Sequence, residues 1–88
     1  MKPYEKFLAR GPEHLSEAEL LAIIIRTGTK TMDSLQLAKQ VLSLPKGQEK
    51  GLQGLQYVSV ADLCRVSGIG EVKAVKIKCL IELSRRLS

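Results

Sequence analysis

The residues best placed to do chemistry in this chain lie in one stretch, VSGIGEVKAVKIK, Val66 to Lys78. Gly68 and Gly70 flank Ile69, and a helix-like run carrying Lys73, Lys76 and Lys78 follows at once. Glycine suits positions where φ turns positive or where a ligand presses on the backbone. A helix starting near Glu71 leaves its first N–H groups without internal partners, and its dipole concentrates positive potential there. A phosphate oxygen accepts from such groups, as anions at helix N-termini commonly do. The Lys73 ammonium, two residues inside the helix, reaches the same space. Ile69 would plug into the core and fix the hairpin. Such contacts go to phosphate, so they position a protein on a nucleic acid without reading sequence. The same residues also suit a structural role, a sharp turn between packed helices with Glu71 satisfying the helix start instead of a ligand.

Few other residues can join this site. At 100° per residue Lys73 and Lys76 lie near one another and Lys78 swings away, while Arg85 and Arg86 lie two turns further along. These cations form no single stripe. One or two phosphate contacts are expected, hence weak binding whose salt dependence steepens by about one unit per contact. The acids Glu17, Glu19, Asp33, Glu49, Asp62, Glu71 and Glu82 fall mostly at caps and exposed faces. His14 follows Gly-Pro-Glu in a loop, with no Asp or Ser companion. Cys64 lacks a nearby histidine or cation to make a thiolate, and one histidine with no Cys-x-x-Cys pair makes no recognisable metal site. No catalytic residues, metal site or resident cofactor are expected, and the chain reads as a non-enzyme. Cys64 and Cys79 stand among apolar residues and read as small, reduced core side chains.

The elements that position the hairpin must come from one small domain of 88 residues. Aromatic side chains are limited to Tyr4, Phe7 and Tyr57, so the core must be built from Leu, Ile, Val and Ala. A wide catalytic cleft does not fit in so small an aliphatic body. The net charge is +5, and it is uneven: residues 1–44 carry a net +1 and residues 45–88 a net +4. Positive potential therefore gathers in the half holding the hairpin, which favours polyanionic partners. The apolar run Leu20–Ile25 is too short to span a bilayer, and charges at Lys2, Glu5, Lys6 and Arg10 break up any leader-like apolar segment. A cytoplasmic protein with no membrane partner is expected.

Along the chain, Pro3 opens a short helix to Ala9, with Phe7 and Leu8 facing inward, and Gly11-Pro12 forces a turn. Ser16 with Glu19 three residues on is a capping box before the apolar helix Glu17–Arg26, which Thr27-Gly28-Thr29 ends. Asp33 or Ser34 caps a third helix with Leu37, Ala38, Val41 and Leu44 at helical spacing, stopped by Pro45. Residues 45–54 form a flexible, glycine-rich connection, beyond which Leu52 and Leu55 pin a short helical turn. Ser59 caps a short helix through Val66, the GIG turn follows, and a last helix runs Glu71–Leu87. No strand alternation is convincing. The expectation is an all-α bundle of five or six short helices.

An internal repeat supports a more specific architecture. Ser16-x-Ala18-Glu19-Leu20-x-x-Ile23 recurs as Ser59-x-Ala61-Asp62-Leu63-x-x-Val66, each followed by a glycine turn, at Gly28 and at Gly68. Two helix–turn–helix units, about 16–44 and 59–87, are expected to pack about a pseudo-twofold axis.

The pattern Leu63-x-x-Val66-Ser67-Gly68-Ile69-Gly70-x-x-Lys73-Ala74-x-x-Ile77 resembles the helix–hairpin–helix motif of DNA-repair proteins. More narrowly, PYEKFLARGPEHLSEAELLAIIIRTGTK with GLQGL and VSGIGEVKAVKIKCLIELSRRL is similar to the N-terminal region of the RadC family, over nearly the whole chain. The stretch Pro45–Lys50 looks like an extra insertion. The resemblance implies a helical bundle like the helix–hairpin–helix (SAM-like) domains of RuvA, with phosphate contacts at Gly68, Gly70, Val72 and Lys73. Leu63, Val66 and Ile69 would hold the hairpin. In some motifs of this kind hairpin carbonyls also hold a monovalent cation beside the phosphate. RadC-family proteins continue into a JAB/MPN-type domain with a His-x-His…Asp zinc site, where any metal-dependent hydrolase activity would lie. These 88 residues lack that domain, so the chain either stops at a domain boundary or is a short stand-alone relative. Two readings of function follow: a non-sequence-specific DNA-binding accessory module, or a docking domain that orients a following JAB/MPN domain or binds a protein partner. Ser67, where such hairpins often carry Pro, and Glu71, an acid beside the anion site, both lower the DNA affinity expected.

Overall fold

Three side chains open three of the helices in the same way. In chain order the α-helices are α1 (Pro3–Arg10), α2 (Glu17–Ile25), α3 (Ser34–Leu42), α4 (Gly51–Gly54), α5 (Val60–Cys64) and α6 (Glu71–Leu87), with single 3₁₀ turns at Pro12–His14 and Leu55–Tyr57. This computed structural model describes residues 1–26 and 33–88. Ser16 Oγ accepts from the Glu19 N–H at 3.1 Å while Glu19 Oε1 accepts from the Ser16 N–H at 2.9 Å, closing the capping box that starts α2. Asp33 Oδ1 accepts from the Gln36 N–H at 2.8 Å ahead of α3, and Ser59 Oγ from the Asp62 N–H at 3.0 Å ahead of α5. Among the described residues there is no strand, so the all-α expectation of five or six helices resolves to six. The turn expected at Thr27-Gly28-Thr29 lies outside the described residues.

The core is aliphatic throughout. Leu21, Ala22 and Ile25 of α2 meet Leu37, Ala38 and Val41 of α3, and Leu55, Val58, Leu63, Val66, Ile69, Ala74 and Ile77 complete one continuous cluster. The α2–α3 pair makes the largest packed surface and α5 packs on α6. The radius of gyration, 12.7 Å, is close to the roughly 12 Å that a folded domain of this length should have.

Two expectations about the inward faces are corrected. Phe7 and Leu8 are exposed, because α1 buries no residue at all. It is tethered instead by Lys6, whose ammonium donates to both Glu19 carboxylate oxygens at 3.2 Å. Cys64 and Cys79 are likewise exposed rather than in the core. On α5 the inward position is Leu63, and Cys64 is rotated about 100° from it. On α6 the inward positions are Ala74 and Ile77, and Cys79, two residues past Ile77, falls about 200° away.

The connection from α3 to α5 is held by long-range contacts. Glu17 Oε1, from the first turn of α2, accepts from the Leu52 N–H at 3.2 Å and so caps α4 from another part of the chain. Lys50 Nζ donates to the Pro45 carbonyl at 3.4 Å, and Gln56 Nε2 donates to Glu49 Oε2 at 3.1 Å. Gly54 is buried, and a Cβ there would collide with the Glu49 carbonyl and the Pro45 ring. Leu55, fully buried, anchors the end of this segment beneath α6.

Candidate nucleic-acid interface

The hairpin between α5 and α6 is built from an apolar underside and an exposed rim. Leu63, Val66 and Ile69 are buried in the core cluster, while Ser67, Gly68, Gly70, Glu71 and Val72 are exposed. The Ile69 N–H donates to the Val66 carbonyl at 3.0 Å and tightens the turn. The two glycines have different reasons to be there. Gly68 has φ of 99°, a conformation that L side chains rarely adopt, and a Cβ added there would lie 3.4 Å from the Leu37 methyl groups. Gly70 has φ −87° and ψ −179°, ordinary extended backbone, and nothing lies within 4 Å of where its Cβ would be.

Gly70 is also the N-cap of α6. Its backbone angles match those of Ser16, Asp33 and Ser59, each of which uses its side chain as a cap. Among the described residues no side chain is hydrogen-bonded to the start of α6, the longest helix, and its N-cap glycine offers none. The α6 ladder begins with the Ala74 N–H donating to the Gly70 carbonyl at 3.0 Å. The N–H groups of Glu71, Val72 and Lys73 precede that ladder, as at any helix start. Gly68, Gly70, Val72 and Lys73 thus come together on one rim: two glycine backbones, the Val72 N–H and the Lys73 ammonium. The Val72 side chain itself points outward and is 68 % exposed.

The electrostatics of the rim are narrower than the charge count of this half suggests. Lys73 Nζ reaches back over the turn to within 3.5 Å of the Gly68 carbonyl, a long contact. Lys78 is engaged elsewhere, donating to the Leu55 and Gln56 carbonyls at 3.0 and 3.3 Å and so closing the end of the 3₁₀ turn. Arg85 and Arg86 both bind Glu82, through Arg85 Nη2 at 2.6 Å and Arg86 Nε at 3.0 Å. The hydrogen bonds from Arg85 and then Arg86 pull the Glu82 carboxyl down to about 2 from its ordinary 4.5. Arg65, on the approach to the turn, stands 3.7 Å from Asp62. Among the described residues Lys73 and exposed Lys76 are therefore the cations left beside the rim.

Elsewhere the candidates of the sequence stay apart. His14 stands 3.9 Å from Glu13 on the surface. Among the described residues no three His, Cys, Asp or Glu side chains are grouped closely enough to hold a metal ion, and no helix is long and apolar enough to cross a membrane. Sequence reasoning missed the cap that Glu17 places on α4. A carboxylate in the first turn of α2 gave no signal that it would serve a segment 35 residues away.

Relatives of this chain are numerous. It is 44 % identical over 87 residues to a UPF0758 protein of Chloroflexus aurantiacus, covering 99 % of this chain and 36 % of that protein. A UPF0758 protein of Syntrophomonas wolfei is 45 % identical over 87 residues, with 99 % and 36 % covered, and one of Aquifex aeolicus is 43 % identical over 86 residues, with 98 % and 35 % covered. The chain thus spans about a third of the length of the curated relatives it matches. No solved structure matches. The family described as UPF0758 N-terminal matches residues 1–75, which take in every element up to the hairpin and the first turn of α6. This chain belongs to the UPF0758 N-terminal family.

Proposed function

We propose that this domain is a nucleic-acid-binding module of a RadC-like, DNA-repair-associated protein, contacting one backbone phosphate without reading sequence. In this reading α5, the GIG turn and α6 form a helix–hairpin–helix. Gly68 and Gly70 let a phosphate approach, the Glu71, Val72 and Lys73 N–H groups donate to it, and the Lys73 ammonium neutralises it. The observation that carries the reading is the uncapped start of α6. Its N-cap has the backbone geometry and the open space for a capping side chain, and holds a glycine instead. Family membership supports a RadC-like N-terminal region. The matched caps of Ser16 and Ser59 support a duplicated helix–turn–helix architecture. Moving Lys73 off the Gly68 carbonyl would free that oxygen for a monovalent cation beside the bound phosphate. One contact, with two cations at the rim, supports weak binding only.

Fluorescence anisotropy with labelled single-stranded, duplex and branched DNA at about 50 mM salt tests this. Binding should weaken as salt rises, with a log–log slope of about −1 to −2, and Lys73→Glu should abolish it. If no DNA shape binds, or if Lys73→Glu binds as well as the parent, the proposal is wrong.

A second reading has its own observation. Glu71 places an exposed acidic residue in the first turn of α6, on the rim where a phosphate would sit, and the relatives are about three times as long as this chain. In that reading the bundle is a docking domain that orients a following JAB/MPN domain, and any hydrolase chemistry belongs there. Chemical-shift mapping separates the two: DNA should perturb Gly68–Lys73, whereas a protein partner should perturb another face.

A further inference from the structure

Every other α-helix places at least one residue in the buried interior, and α1 places none. Among the described residues, no apolar side chain of α1 belongs to the core cluster or packs against it as a partly buried neighbour. Of Tyr4, Phe7 and Leu8, Phe7 is the most covered, and it is still 38 % exposed. The hydrogen bonds and the ring contact that cross from α1 to α2 all involve a charged group. Lys6 Nζ donates to both Glu19 carboxylate oxygens at 3.2 Å, and both side chains are largely shielded from water. The Arg26 guanidinium, at the C-terminal end of α2, stands 5.6 Å from the centre of the Tyr4 ring, within cation–π range. Each helix closes its own end without the other. The Gly11 N–H donates to the Phe7 carbonyl at 2.8 Å to finish α1, and Ser16 and Glu19 exchange hydrogen bonds to start α2. Gly11, with φ of 89°, stands at the joint, and glycine absorbs backbone rotation at little steric cost.

We propose that α1 is a strap held to α2 by an ionic latch, Lys6 on Glu19, and that it opens as a unit about Gly11 while the rest of the bundle stays folded. Segments with few buried apolar contacts open at a lower free energy than the whole domain, and α1 is the helix with no buried side chain. Helices this short are marginal alone in water, so undocking melts all eight residues together. Lys6 lies at the middle of the strap, so the loss of one contact releases both halves. Glu19 makes the release separable from the body. Its Oε1 caps the Ser16 N–H as well as binding Lys6, so the start of α2 stays closed when Lys6 leaves. Salt screens an ion pair of this kind, and ionic strength therefore sets how often the strap is open. Opening uncovers the Glu19 carboxylate and the flank of α2 that carries it. The latch lies wholly within α1 and α2 and does not depend on phosphate binding at the hairpin.

Native-state hydrogen exchange of this chain, read amide by amide by NMR, tests both halves of the proposal. The amides of Phe7 to Gly11 should share one opening equilibrium, far more populated than the global unfolding that the core amides of α3 report. That opening should rise at least about threefold between roughly 50 and 500 mM NaCl. Lys6→Gln should raise it about fivefold at low salt and remove most of its salt response. Glu19→Gln should do the same while α2 keeps its start, because Gln also serves at that position of a capping box. The double variant should be no more open than either single one, since both remove the same interaction. Amides of α1 that exchange only with global unfolding, or that fray progressively from Met1 with no common value, overturn the strap. A common opening that ignores salt and Lys6→Gln, or single effects that add in the double variant, overturns the latch.

Discussion

Two glycine-bearing connections, 45–54 and 66–70, look alike in sequence and are built on opposite principles. In 45–54 the chain folds against itself. Gly54 is buried where any side chain would strike Glu49 and Pro45, and Glu17 reaches across from α2 to cap α4, which lies within this connection. In 66–70 the apolar residues go inward and the glycine backbone is left on the surface. Gly68 is required by its φ of 99°, but Gly70 has both room and an ordinary conformation for a side chain. A glycine that excludes its own chain's atoms explains itself by packing. A glycine at an uncapped helix start, with open space around it, has no such packing reason, and in the proposed reading it leaves the N–H groups open to a phosphate.

Substitutions at these positions can break that contrast. The largest effect is expected at Gly54→Val, where overpacking against Glu49 and Pro45 should cost about 3 kcal/mol or more, read as a fall in the urea midpoint; an unchanged midpoint would mean the connection is looser than described. Gly68→Ala should cost roughly 1 to 2 kcal/mol from its positive φ, with the hairpin distorted and DNA affinity reduced. Gly70→Asp sharpens the contrast most. An aspartate there has the geometry of an N-cap, so stability should hold or rise by up to about 1 kcal/mol. DNA binding in the anisotropy assay should nevertheless vanish, because the carboxylate takes the N–H groups and repels phosphate. Loss of stability together with binding would make Gly70 a structural residue like Gly54. The smallest effect belongs to Glu82. Its carboxyl is held down by Arg85 and Arg86 to about 2, so the support it gives the α6 end is complete above the ordinary 4.5 and fades as pH falls through about 2. Helicity at 222 nm should show a slight loss over that acid range, absent in Glu82→Gln.

Much of the fold was legible because local chemistry dictated it. Ser16, Asp33 and Ser59 announced their helices by type and spacing, and the structure closes the hydrogen bond at each. The buried rows Leu37-Ala38-Val41 and Ala74-Ile77 follow from helical period. Facing was less legible wherever an apolar residue stood at the edge of an inward arc. Phe7, Leu8, Cys64 and Cys79 are apolar or small, so composition counted them as core, yet all four are exposed. The cations of the second half were legible in part: helical period set Lys78, Arg85 and Arg86 apart from Lys73 and Lys76, and the structure adds where they go, Lys78 to a distant 3₁₀ turn and Arg85 and Arg86 to Glu82.

By itself the sequence determined the helices, their starts, the aliphatic core and the presence of a glycine hairpin before the last helix, because caps, periodicity and turn residues act over three or four positions. Tertiary structure decided which of those features is turned outward. It placed Gly70 in open space and Gly54 against its neighbours, assigned Glu17 to a helix 35 residues away, gave Lys78 its carbonyl partners and left Val72, Val75, Cys79, Leu83 and Leu87 facing solvent. Each of these depends on which elements pack together, and that is settled by the summed burial of the whole core rather than by any stretch of the chain read alone.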